Sequence, residues 1–263
     1  MCKGKIPVAE REIRLIAKMK FSFVFLMAAM LIPGLKSVAE TPDGANSGAA
    51  AAGNENADSP VAEVRNARSW EYGPFVNWGT GVGDRSDFKF FFAGAELGKT
   101  LTPVLHAGIF SGQFQFAGNI IPFWQAYTPA PHDQIYECAG GGACPVPEGG
   151  GTFTGASLTP VIFRWNFLTH SRRVQPWFQA AGGLVYTTHK FPPDVLLPHG
   201  APGGTSVWNF SPQGGVGIHY FLRSKRSVDL GVNAVHISSA SLGDRNPGVN
   251  ASIQIQVGYT FWK

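Results

Sequence analysis

Near the C-terminus the chain reads His236-Ile237-Ser238, an imidazole and a hydroxyl two positions apart. On an extended strand alternate side chains share a face, so these two groups lie on one side, roughly 6.5–7 Å apart at Cα. From there they can reach hydrogen-bond distance. A serine hydroxyl is a weak nucleophile until an adjacent base removes its proton. Ester or acyl-transfer chemistry then needs a third group to orient the imidazole, and donors to hold the oxyanion. His-x-Ser alone is also compatible with a capping or surface arrangement, so its setting has to decide.

That setting is an alternating strand. Val228, Leu230, Val232 and Ala234 share the parity of His236 and Ser238, while Asp229, Gly231 and Asn233 take the other face. After a short polar loop, Ile253, Ile255, Val257, Tyr259 and Phe261 oppose Ser252, Gln254, Gln256, Gly258 and Thr260. This period of two predicts a pair of half-apolar strands. The imidazole and hydroxyl therefore end an apolar face, where polar groups without a purpose are costly.

Eight strand-like segments follow from Trp70 onward, over 70–80, 87–99, 103–118, 155–167, 175–187, 206–222, 226–239 and 250–262. In the sixth, Trp208, Phe210, Val216, Ile218 and Tyr220 oppose Asn209, Ser211, Gln213, Gly217 and His219. In the fourth, Val161, Phe163, Trp165 and Phe167 oppose Arg164 and Asn166. The first, third, fifth and seventh connections (81–85, 119–154, 188–205 and 240–249) tend to be longer than the intervening ones (100–102, 168–174 and 223–225). Alternating long and short loops, with an even strand number, predict an all-β fold: an eight-stranded antiparallel outer-membrane β-barrel.

A soluble eight-stranded barrel alternates too, with its apolar face inward and Lys and Glu outside. Here the polar face is mostly Asn, Gln, Ser and Gly, which suits a small enclosed lumen. The other face is rich in Phe, Trp and Tyr, as lipid and its aromatic girdles require. The expected location is the bacterial outer membrane.

Segment 19–39 has a secretory layout: Lys18 and Lys20, an apolar core from Phe21 to Ile32, and a small-x-small site at Ser37-Val38-Ala39. Residues 1–39 are thus expected to be an upstream extension and signal peptide. Residues 40–68, rich in Ala, Gly, Asn and Ser, are expected to be a disordered lead-in, with the transmembrane barrel over 69–263. The formal charge of +4 is concentrated in the leader. Lys3, Lys5, Arg11, Arg14, Lys18, Lys20 and Lys36 against Glu10 and Glu12 remove five net positive charges and leave −1. No basic patch argues for nucleic acid.

Cys138 and Cys144 lie in a Gly/Pro-rich loop of an exported chain, and a local disulfide is expected. The alternative use of these thiols, a metal site with His132, is weaker, and no metal or other cofactor is expected. Glu96, Arg164 and His219 are candidates for lumen networks. Arg245, which could meet a lipid phosphate, has Asp244 beside it as a local ion-pair partner. Gly140-Gly141-Gly142 reads as loop, since no helix follows to make a phosphate cradle.

The stretches His236-Ile237-Ser238-Ser239-Ala240 and Asn246-Pro247-Gly248-Val249-Asn250, with the last strand, resemble the outer-membrane lipid A 3-O-deacylases (PagL). Weaker similarity runs back to Trp70-Glu71-Tyr72-Gly73-Pro74-Phe75. The resemblance implies an eight-stranded barrel that removes the ester-linked acyl chain at the 3-position of lipid A. It implies Ser238 as nucleophile and His236 as general base, with lipopolysaccharide in the outer leaflet as partner. Two positions depart from the family pattern. Ser239 stands where an Asn contributes to the oxyanion hole, and the acidic member of the triad falls at Asn250. Asp244 is the alternative acid. Asn250 also has the lumen parity of Ser252 and Gln254, so a bulge would be needed to turn it toward His236. These departures keep open a second expectation, a catalytically inactive barrel that binds lipid or stabilises the envelope. A pore is disfavoured, because side chains nearly fill an eight-stranded barrel.

Overall fold

The computed structural model describes residues 59–130, 132–138, 140–148, 150–193, 206–240 and 250–263. The expected signal peptide and most of the expected lead-in lie outside them, as do Asp244 and Arg245.

The described chain opens with a helix, α1 (Pro60–Ala67). Ser59 caps it, its Oγ accepting the Ala62 N–H at 3.1 Å. Pro60 sits in the first turn, Glu63 lies near the positive end, and Arg68 closes the helix in the left-handed region at φ 46°. The expectation of an unstructured lead-in up to residue 68 is corrected here. Val61 and Val64 are buried against Phe221 and Trp262, and that burial supplies the tertiary packing a short helix needs.

Eleven strands follow: β1 (Trp70–Gly81), β2 (Lys89–Thr100), β3 (Gly112–Tyr127), β4 (His132–Glu137), β5 (Ala143–Glu148), β6 (Thr152–Phe167), β7 (Val174–Phe191), β8 (Ser206–Phe210), β9 (Gln213–Arg223), β10 (Arg226–His236) and β11 (Ala251–Trp262). Antiparallel pairing runs β6-β3-β2-β1-β11-β10-β9-β7, and β6 pairs β7 to close the ring. β8 and β9 share neighbours on either side of Ser211-Pro212 and act as one interrupted strand, giving an eight-stranded antiparallel barrel. β4 and β5 form a separate two-stranded sheet. At its tip the Cys138 N–H donates to the Gly142 carbonyl at 2.9 Å, and the Cys138 and Cys144 sulfurs are joined, with 5.5 Å between the Cα atoms.

The third strand lies later than expected, at 112–127 rather than 103–118. Leu105 folds back to pair with Gly112, and Ser111 closes a tight turn on the Gly108 carbonyl. The connection at 100–102 is thereby longer than predicted. The strand then continues through Asn119 and Pro122, which read as turn residues in the sequence. Register shifts beside Pro122 and beside Pro160 of β6 absorb the missing N–H groups.

The outer wall is apolar: Trp78 is 64% exposed, Val216 61% and Ile120 56%. A closed sheet with this surface satisfies its backbone internally and faces hydrocarbon, which places the protein in the bacterial outer membrane. Trp70 at the start of β1, Lys263 after β11, and the 224–225 and 168–173 turns share one end, the periplasmic one by this layout.

The lumen is filled in two zones. Toward the periplasm, Arg164 donates to Glu71 (2.8 Å), Glu96 (2.6 Å) and Gln179 (2.7 Å). Gln179 passes the network to Asn233 and thence Gln256. His219 Nδ1 lies 2.7 Å from Asp229, which also accepts from Ser227 and Thr260. Trp177 stacks over the Arg164 guanidinium at 4.9 Å. Its indole fits because Gly217 and Gly231 face it, where a Cβ would lie 2.3 and 2.7 Å from the ring. Toward the outside, Phe90, Phe92, Trp124, Phe153 and Phe191 form an aromatic plug with centroids 5.2–6.4 Å apart.

Candidate active site

The site begins with how β10 ends. Gly231, Asn233 and Val235 are buried in the lumen while Leu230, Val232 and Ala234 are exposed on the wall. Ile237 continues the inward row at 1% exposure and joins the aromatic plug. Alternation about this anchor gives His236 and Ser238 the outward parity. His236 is half-buried and Ser238 is 8% exposed.

Backbone bonds fix the three residues from both sides. The His236 N–H donates to Pro212 at 3.0 Å, the Ile237 N–H to Asn250 at 2.9 Å, and the Ser238 N–H to Phe210 at 3.0 Å. Phe210 returns the bond to the Ser238 carbonyl at 2.7 Å. The chain then turns sharply. Ala240 lies in the left-handed region at φ 47°, and its N–H donates to Ser238 Oγ at 3.2 Å. The cross-strand partner of Ser238, Phe210, is an exposed apolar side chain at 39%.

Asn250 is 3% exposed. Its Nδ2 donates to the Ile237 carbonyl at 3.3 Å. The β10–β11 register keeps one offset from Arg226↔Phe261 to His236↔Ala251, and the Ile237–Asn250 bond extends it. No bulge turns Asn250 outward. It grips the residue between His236 and Ser238 from the lumen side.

Ser239 is fully buried, and among the described residues its hydroxyl has no hydrogen-bond partner. Behind the turn, Ile237, Val235, Trp124 and Ser211 line a cavity of about 20 Å³, room for about one water. Glu96 is remote from this arrangement, committed to Arg164 in the lumen network. Among the described residues, no group of three or more His, Cys, Asp or Glu side chains is placed to hold a metal ion.

Two residues at this strand end escape a reading of the sequence. Phe210, the last residue of β8, and Pro212, in the break before β9, clamp the backbone, and no local pattern marks such a pairing. The helix α1 is different, since Ser59-Pro60 followed by Glu63 is a helix-start signal that the polar composition around it obscured.

The sequence family described as lipid A 3-O-deacylase (PagL) matches residues 110–260, more than half of the chain. No curated protein matches it. Among solved structures, the outer-membrane enzyme PagL is similar with 14% identity and a TM-score of 0.45, over 72% of this chain and 98% of that one. Neisserial surface protein A (NspA) aligns at 15% identity and TM-score 0.44, over 73% and 96%. The N-terminal β-barrel domain of Pseudomonas aeruginosa OprF aligns at 12% identity and 0.35, over 74% and 98%.

Proposed function

The chain belongs to the lipid A 3-O-deacylase (PagL) family, and from that premise we propose that it is an outer-membrane serine esterase that removes the 3-O-linked acyl chain of lipid A. The observation that carries this reading is the placement of Ser238. It is a nearly buried hydroxyl just past the end of β10, clamped through its backbone to Phe210, whose side chain is exposed on the apolar outer wall. A lipid diffusing in the outer leaflet would meet it without leaving the membrane.

In this mechanism His236 takes the Ser238 proton as Oγ attacks the ester carbonyl. The tetrahedral oxyanion collapses to an acyl-serine and releases the 3-hydroxyl of the lipid. Water, activated by the same imidazole, then frees the hydroxy fatty acid. The oxyanion role falls to Ser239, whose buried hydroxyl makes no bond among the described residues. Asn250 serves as a positioning residue that holds Ile237, and hence its two neighbours, through its side-chain amide. Asp244 is the candidate acid for orienting His236. No step in this scheme calls for a metal or organic cofactor.

The second reading, a lipid-binding barrel without chemistry, is favoured by Asn250 standing where the family has an acid. A serine-directed fluorophosphonate separates the two. The esterase reading expects an adduct that maps to Ser238 and is lost in His236→Ala. A folded barrel that takes up no label at Ser238 favours the inert reading.

A further inference from the structure

At the periplasmic rim the β6–β7 and β9–β10 turns bring three arginines to one place. Val174 of β7 pairs with Tyr220 of β9, and the Phe221 N–H donates to the Arg173 carbonyl at 2.7 Å, extending the ladder past the strand end. This sets Arg172 and Arg173 beside Leu222 and Arg223. Together with Ser171 and Pro60 they line an open pocket of about 560 Å³.

Among the described residues the charge of this pocket is uncompensated. Arg172, Arg173 and Arg223 are exposed, and among the described residues none forms an ion pair with a carboxylate. Glu63, the acidic side chain described at this rim, is engaged by Lys225 at 3.7 Å and by Ser224. The turn is also built to hold its shape. Ser171 Oγ accepts from the N–H groups of Arg173 and Val174 at 3.3 and 3.0 Å, leaving its own O–H to donate outward.

One wall is apolar and leads onto the membrane surface. Leu222 is 46% exposed and shares its parity with Tyr220 on the outer face. Elsewhere on the rim, Lys99 lies 5.3 Å over Trp70 and Arg226 4.4 Å over Phe261. Cations paired with outward aromatics mark the level of lipid headgroups. Three guanidinium groups fit phosphate oxygens bidentately, and the adjoining leucine favours an amphiphile over a free anion.

We propose that this pocket binds the phosphodiester headgroup of an anionic phospholipid in the inner leaflet of the outer membrane. The assignment rests on the barrel and its orientation, not on the esterase reading. One bound lipid of this kind would fix the depth and tilt of the β6–β9 side of the barrel against the periplasmic surface.

The test is native mass spectrometry of the folded barrel released from micelles doped with phosphatidylglycerol or with phosphatidylcholine. The wild type should retain phosphatidylglycerol preferentially. Arg172→Gln/Arg173→Gln/Arg223→Gln should lower that retention by roughly tenfold or more, and Lys89→Gln at the opposite rim should leave it unchanged. The single variant Arg223→Gln, together with heat-modifiable gel migration, guards against misfolding in the triple variant and should lower retention partially. Equal retention in the wild type and the folded triple variant would overturn the proposal. So would displacement of the lipid by equimolar glycerol 1-phosphate, which would identify a site for the soluble anion instead.

Discussion

Phe210 and Ser238 exchange both backbone hydrogen bonds, at 2.7 and 3.0 Å, although 28 positions separate them in the chain. This bridge lies beyond the last regular pair of β10, where a strand end would otherwise fray. It gives the Ser238 hydroxyl a fixed origin on the outer wall, and the proposed acyl transfer requires such a positioned hydroxyl.

On the proposed esterase reading, substituting His236 or Ser238 should remove the chemistry and not the fold. Ser238→Ala and His236→Ala are each expected to lower deacylation by roughly 10³–10⁴-fold. Both should keep the heat-modifiable migration of a closed barrel, since neither side chain belongs to the buried core.

Asn250 gives a prediction of opposite sign for two mechanisms. If its amide holds Ile237, Asn250→Asp removes the donor and sets a carboxylate against a carbonyl. Activity should then fall by roughly tenfold, the equivalent of about 1.4 kcal/mol for a lost buried hydrogen bond. If the position works as a triad acid, the same substitution should raise activity. Initial rates on one purified lipopolysaccharide distinguish the two.

Ile237 is the inward anchor of the site. Ile237→Ala should cost about 2–5 kcal/mol in urea-induced unfolding from lipid vesicles, because it leaves a void in a packed plug. Activity should fall with it, as the backbone between His236 and Ser238 loosens.

The lumen network predicts a stability effect remote from the chemistry. Arg164→Met alone strands the buried Glu71 and the part-buried Glu96 and should destabilise by about 3–5 kcal/mol. Adding Glu71→Gln and Glu96→Gln should recover most of that loss. The unfolding midpoint in vesicles is the readout.

Much of the barrel is legible from parity alone. The final strand pair, the inward Arg164 and His219, and the lumen parity of Asn250 all follow from a period of two, because the membrane makes the two faces chemically distinct. β3 is displaced from its predicted place because Pro122 and Asn119 mimic turn residues while a bulge carries the strand through them. Helix α1 was hidden by composition, since its stabilising contacts, Phe221 and Trp262, lie far along the chain. The clamp on Ser238 depends on which strands become neighbours across Pro212, and one strand's pattern does not encode that.

The central claim is tested most directly by mass spectrometry of lipid A after lipopolysaccharide is incubated with the refolded barrel, alongside Ser238→Ala. The account predicts loss of one 3-O-linked hydroxyacyl group with the wild type and an unchanged mass with the variant. Deacylation by a folded Ser238→Ala barrel, or an unchanged mass with a folded wild type, would contradict it.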